Sequence, residues 1–146
     1  MKLVIQRVSN ASVKVEEKIV GKIEKGFLVL LGIKVGDTKE QVDYLVRKLI
    51  NLRVFSDSDD KMNLSIKDVN GELLIISQFT LYGECIKSGN RPSFTDAARP
   101  EEAIPLYEYF IDECKKQIPV VQTGIFGENM RVNLLNDGPV TIIIEK

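Results

Sequence analysis

Apolar residues recur along the chain with two different periods. From Lys2 to Val8 they alternate with polar residues, the period of a half-buried strand, and Ser12 to Val15 resumes the pattern after the polar Ser9-Asn10. Glu16-Glu17-Lys18 reads as a turn, and Ile19 to Ile23 as the returning strand of a hairpin. Phe27 to Ile33 is almost continuously apolar, which a strand tolerates only when both its faces are buried. The period then changes. Val42, Leu45, Val46, Leu49 and Ile50 fall on one helical face, and Thr38 with Gln41 fits a capping box at its start. Arg53-Val54-Phe55 predicts a short strand, Ser56 to Lys61 an acidic turn, and Leu64 to Val69 another short strand. Asn70-Gly71 is a hairpin signal leading into the buried run Leu73 to Ile76.

Pro100-Glu101-Glu102 opens a second helix, with Ala103, Leu106, Tyr107, Phe110, Ile111, Cys114 and Ile118 as its apolar stripe. Pro105 lies early enough in it that the missing donor is tolerable. Three strands are predicted to close the chain: Val120 to Phe126, Met130 to Leu135 and Val140 to Ile144. Asn136-Asp137-Gly138-Pro139 separates the last two. Repeats, linkers and low-complexity segments are absent. One domain over residues 1–146 is therefore expected, an α+β fold with two main helices and a β core that closes like a barrel.

Composition narrows the chemistry. The 146 residues are 44% hydrophobic and 28% charged, with net charge −1, the balance of an ordinary globular protein. No apolar run approaches the ~20 residues of a membrane span. The N-terminus turns polar too early for a signal peptide, so the cytoplasm is the expected location. Histidine is absent, which excludes Ser-His-Asp and Cys-His catalysis and any imidazole metal ligand. Cys85 and Cys114 are read as free thiols, and neither a metal nor a cofactor is expected.

Four stretches can carry chemistry. Ser77-Gln78-Phe79-Thr80 places hydroxyl and amide groups where an apolar strand runs out; it either caps the strand end or faces a ligand. Asn136-Asp137-Gly138-Pro139 is either a plain turn or a rigid pair of carbonyl acceptors across a cis Gly-Pro bond. Arg91-Pro92-Ser93-Phe94 is a solvated loop or, with Lys87, an anion contact. Phe126 and Met130 are core residues or a stacking surface for a base.

Taken together, these residues resemble the D-aminoacyl-tRNA deacylases. Ser77-Gln78-Phe79-Thr80-Leu81 matches one signature of that family and Asn136-Asp137-Gly138-Pro139-Val140-Thr141 the other. Val4 to Val8, Lys61 to Ser65, Asn90 to Ala98 and Thr123 to Gly127 extend the likeness over the whole chain. Gly83-Glu84-Cys85 and Glu128 depart from the usual family residues beside the site.

The resemblance implies a homodimer with two sites at the subunit interface. It implies hydrolysis of the ester of D-aminoacyl-tRNA, and of glycyl-tRNA mischarged on tRNA(Ala). Ser77, Gln78, Phe79 and Thr80 would form the catalytic strand end. Gly138 and Pro139, braced by Arg7, would reject L-amino acids by offering their carbonyls to the substrate's α-amino group. Phe126 and Met130 would hold the terminal adenine, and Lys87 and Arg91 nearby phosphates. Two mechanisms stay open: hydrolysis assisted by the tRNA 2′-hydroxyl at backbone N–H donors, or Thr80 as covalent nucleophile. Two other classes stay open as well, an editing enzyme for L-amino acids and a non-catalytic binder of RNA ends.

Overall fold

The computed structural model describes residues 1–87 and 89–146; Ser88, within the predicted polar connection Gly83 to Thr95, lies outside the described residues. The chain runs β1 (Lys2–Val15), β2 (Lys18–Ile23), β3 (Gly26–Gly32), α1 (Lys39–Ile50), β4 (Phe55–Ser56) and β5 (Met62–Leu64). It continues with β6 (Glu72–Ser77), a 3₁₀ turn (Phe79–Tyr82), α2 (Pro100–Lys115), β7 (Val121–Thr123) and β8 (Arg131–Glu145). Among the described residues, six strands form the main sheet in the order β2-β1-β3-β6-β7, with β8 on the other side of β1.

Both helices form where the periodicity predicts. The Thr38 capping box is present in full, with the Gln41 side chain accepting from the Thr38 N–H at 2.8 Å. The buried face of α1 is Val42, Leu45, Val46, Leu49 and Ile50. Pro100 starts α2, and Pro105 lies inside it without breaking it.

Two apolar cores explain the continuous runs in the central strands. Phe27, Val29 and Leu31 of β3, with Leu73 and Ile75 of β6, face the helices. Leu28, Leu74 and Ile76 face the other way, into the barrel with Val8, Val13 and Ile23. A strand buried on both faces has no polar positions to alternate. The barrel is nearly closed because β2 returns to β7: a side chain at Gly21 would sit 2.6 Å from the Thr123 carbonyl.

Several boundaries differ from expectation. The polar Ser9-Asn10 does not interrupt β1, because β8 shifts register there and keeps pairing. Asn136 to Pro139 does not divide two strands; it is a bulge within the single strand β8. The predicted strand at Arg53–Phe55 shrinks to β4, and that at Leu64–Val69 does not form: β5 lies before it and shares only Leu64 with it. Among the described residues β4 and β5 pair only with each other. Asn70 takes a left-handed conformation (φ 51°) as a hairpin signal would, yet no hairpin results. The strand after it pairs in parallel with β3, which shares its buried character, and with β7, rather than antiparallel with β5.

Candidate active site

Strands β3, β6 and β7 run parallel, so their C-terminal ends come together at one edge of the barrel. Open α/β arrangements bind ligands at such strand ends. Here the ends surround a cleft of about 250 Å³. Leu31, Ile33, Ile76 and Val132 make its interior apolar, and Ala98 and Ala103 close the side toward α2. Ser77, Gln78 and Phe79 stand on one rim and Phe126, Glu128 and Met130 on the other.

The strand end is shaped by its hydrogen bonds. The Gln78 N–H still donates to the Leu31 carbonyl (2.8 Å), extending the ladder to β3 by one residue. The chain then coils into the 3₁₀ turn, closed by Leu81 N–H to the Gln78 carbonyl (3.3 Å) and Gly83 N–H to the Thr80 carbonyl (2.9 Å). A helical turn leaves its first N–H groups without internal acceptors. Those groups here belong to Phe79 and Thr80, and among the described residues no acceptor is found for either. Two adjacent free donors at a cleft rim are suited to an oxygen that gains negative charge. The Gln78 side-chain amide donates to the Thr80 hydroxyl oxygen. Phe79 is not a core residue; its side chain is 55% exposed at the rim.

The opposite rim is built on α2 and β7. Phe126 lies against Tyr107, with ring centroids 5.6 Å apart. Burial pushes the Tyr107 hydroxyl up to about 12, so it stays protonated and donates to the Ile75 carbonyl at 3.3 Å. Met130 crosses Gly124 so closely that a side chain at 124 would collide with its sulfur. The Gly124 N–H in turn donates to Ile75 (3.3 Å), tying the cleft's far wall to the strand that carries Ser77.

Gly138 and Pro139 lie elsewhere. Opposite Arg7, β8 inserts Asp137 to Val140 between the pairs Gln6–Thr141 and Val8–Asn136. The Gly138-Pro139 bond is cis, and Gly138 has φ 123°, a conformation L side chains rarely adopt. Arg7 spans the bulge: Nε donates to the Asp137 carbonyl (3.1 Å) and Nη1 to the Val54 carbonyl (2.6 Å). Asn136 Oδ1 accepts from the Val140 N–H (3.3 Å), closing the bulge from the strand side.

A family model described as D-Tyr-tRNA(Tyr) deacylase matches residues 4–145. The chain belongs to that family. The D-aminoacyl-tRNA deacylase of Thermosipho africanus is 57% identical over 145 residues, covering 99% of this chain and 97% of that one. The protein of the same name from Flavobacterium psychrophilum is 55% identical over 146 residues, with the same coverage. Among solved structures, one titled c-Myc DNA Unwinding Element Binding Protein superposes with a TM-score of 0.93 at 42% identity, covering 100% of this chain and 99% of that one. A structure titled as a probable eukaryotic D-amino acid tRNA deacylase superposes at 0.84 with 17% identity, covering 98% and 97%, and shares the fold. Membership of this deacylase family makes the chain a hydrolase of ester bonds.

Against the expected site of this family, one chain assembles only part. Ser77, Gln78, Phe79, Phe126 and Met130 share the cleft, with Thr80 next in the turn. Gly138, Pro139 and Arg7 are absent from its lining. Lys87 and Arg91 are exposed on the loop that follows the turn and do not line the cleft either. Among the described residues, no group of three or more cysteines, aspartates or glutamates is placed to hold a metal ion. Sequence reasoning missed Tyr107, whose place in the apolar stripe of α2 hid its hydroxyl's bond to β6. It also missed the two alanines, Ala98 and Ala103, whose small size leaves the cleft open.

Proposed function

We propose that this chain cleaves D-aminoacyl-tRNA to free D-amino acid and tRNA, and cleaves glycyl-tRNA mischarged on tRNA(Ala). The observation that carries the mechanism is the pair of unpaired N–H groups at Phe79 and Thr80 on the rim of an apolar cleft. The terminal adenine enters the cleft between Phe126 and Met130, and the ester carbonyl meets the two donors. Water adds to the carbonyl carbon, its oxygen gains charge against those N–H groups, and the bond to the ribose oxygen breaks. The leaving ribose oxygen takes up a proton. The neighbouring 2′-hydroxyl assists, since the chain holds no histidine and the Thr80 oxygen already accepts a hydrogen bond from Gln78.

Chiral selection rests on Gly138 and Pro139 from a second copy of the chain. Their exposure on β8, away from the cleft of their own chain, supports this arrangement. So do the outer edge of β8, which among the described residues pairs with β1 alone, and the exposed Leu135 and Ile143 along it. Two carbonyls facing the substrate's α-amino group leave no room for an L side chain, and glycine, having none, is accepted. Lys87 and Arg91 lie on the loop beside the rim, in reach of the phosphates of a tRNA end. A protein working on aminoacyl-tRNA in this way acts in the cytoplasm as a proofreader of translation.

The test is ester loss from D-Tyr-, L-Tyr- and Gly-tRNA incubated with the purified protein. Cleavage of the D and glycyl forms alone is expected. Equal cleavage of both hands would remove the chiral reading, and binding without cleavage would replace it with a passive binder of RNA ends. Thr80→Ala is expected to retain most single-turnover hydrolysis; near-complete loss with tRNA binding kept would instead favour the Thr80 nucleophile.

A further inference from the structure

Phe79 precedes one unpaired donor and carries the other, yet its ring is more than half exposed. A four-residue turn has little internal bonding of its own, so a ring contact that anchors one of its side chains also restrains the backbone on which the two N–H groups sit. The ring contact that restrains it is made with Phe94, edge to face, with centroids 5.1 Å apart and planes at 71°.

Phe94 arrives from the far end of the connection after the turn. Glu84 and Ser93 exchange two backbone bonds, N–H to carbonyl, at 2.8 and 2.9 Å, an antiparallel bridge that ties the two ends of the connection together one residue before Phe94. The Phe94 carbonyl accepts from the Ala97 N–H (3.1 Å), and Ala98, lining the cleft, donates to the Ile33 carbonyl (2.9 Å). The base of Phe94 is therefore fixed on both sides, while its ring is 38% exposed and turned back over the turn. Gly83 makes this possible. A β-carbon at 83 would stand 3.0 Å from Phe94 Cε1 and 3.1 Å from the Thr80 carbonyl, so a side chain there would push the ring a few tenths of an ångström off the end of the turn.

We infer that Phe94 is a positioning residue for the hydrolysis: its ring clamps Phe79 and thereby holds the Phe79 and Thr80 N–H groups at the spacing the developing oxyanion requires. The inference rests on the oxyanion role proposed for those donors. Phe94 itself does not line the cleft. Its effect therefore belongs to the rate of the chemical step rather than to capture of the tRNA.

The experiment compares wild type, Phe94→Ala, Phe94→Tyr and Gly83→Ala on D-Tyr-tRNA, reading single-turnover rate at saturating enzyme, tRNA affinity and melting temperature. Phe94→Ala and Gly83→Ala, which disturb one contact from its two sides, are expected to slow the chemical step roughly 10- to 100-fold, the scale on which small misplacements act. Affinity and melting temperature should stay near wild type, and Phe94→Tyr, which keeps the ring, should restore the rate. In a double-mutant cycle, Phe94→Ala should add little to Phe79→Ala. A wild-type rate in Phe94→Ala, or a loss explained wholly by weaker binding or a lower melting temperature, overturns the inference. An inactive wild type would instead overturn the proposed deacylation, so the two failures are distinguishable.

Discussion

Arg7 holds the residue that precedes Gly138: its Nε donates to the Asp137 carbonyl at 3.1 Å while Nη1 donates to Val54 at 2.6 Å. One planar guanidinium thus joins the bulge of β8 to the segment after α1. The accompanying ion pair to the Asp137 carboxylate, at 3.5 Å and half exposed on the aspartate side, adds little. Arg7→Ala leaves two carbonyls without their donor. It is expected to cost about 2–3 kcal/mol by denaturant unfolding, the scale of hydrogen bonds to charged groups. Arg7→Lys should recover only part of this, since a single ammonium does not reproduce the fork. Discrimination between D- and L-Tyr-tRNA should fall more steeply than stability. Unchanged discrimination would separate Arg7 from the selecting segment.

If each site combines Phe79 of one chain with Gly138 of another, two inactive variants can complement each other. Phe79→Pro, which removes one of the two N–H donors, and Gly138→Val are each expected to lose hydrolysis; valine at 138 collides with Arg7 and Val140 and is strained at φ 123°. Random reassortment of the two should restore about a quarter of the wild-type sites, because half of the dimers are mixed and each mixed dimer has one intact site. No recovery after verified subunit exchange would place both motifs within one chain.

Gly124 sets where Met130 stands. Gly124→Ala forces the sulfur of Met130, a residue that lines the cleft, off its present seat. We expect weaker tRNA binding, about tenfold by affinity measurement, corresponding to about 1.4 kcal/mol, with the chemical step at saturation little changed. Shortening the neighbour in Gly124→Ala/Met130→Ala should relieve the collision without restoring the contact proposed between Met130 and the terminal adenine. Its affinity should therefore match that of Met130→Ala alone.

Acid stability has a local origin. Asp57 accepts from the Lys61 N–H (3.0 Å) and the Asp59 N–H (2.9 Å), and Asp68 from the Ser65 N–H and hydroxyl (both 2.8 Å). The backbone donors of Lys61 and Ser65 are the main reason each carboxyl is held below the usual carboxylate range. A folded pKa below the unfolded one gives stability that is complete above the unfolded value, about 4, and is lost as pH falls through the folded one. The contribution of these two carboxylates to melting temperature should therefore be level from neutral pH down to that value and then decline. The gap between wild type and Asp68→Asn should narrow on the same descent. A gap that does not depend on pH would assign the Asp68 contribution to its shape rather than its charge.

Local pattern was enough to determine much of this protein. The faces of α1 and α2, the Thr38 cap, the double burial of β3 and β6 and the two motif stretches all follow from residues within a few positions of one another, where periodicity and propensity act. The signature motifs were also legible as residue types, because polar groups at the end of an apolar strand need a reason to be there. What the pattern could not determine was pairing. Asn70-Gly71 makes its turn, but the strand after it joins β3 and β7 because burial on both faces outweighs a local hairpin. Asn136 to Pro139 looks like a chain reversal, yet β8 runs on through it, since Arg7 and the continuous partner β1 absorb the extra residues. The separation of Gly138 from the cleft of its own chain, and the meeting of Phe79 with Phe94 across a bridged connection, are contacts between distant positions. Sequence spacing carries no measure of those distances; the bulge opposite Arg7 and the Glu84–Ser93 bridge set them.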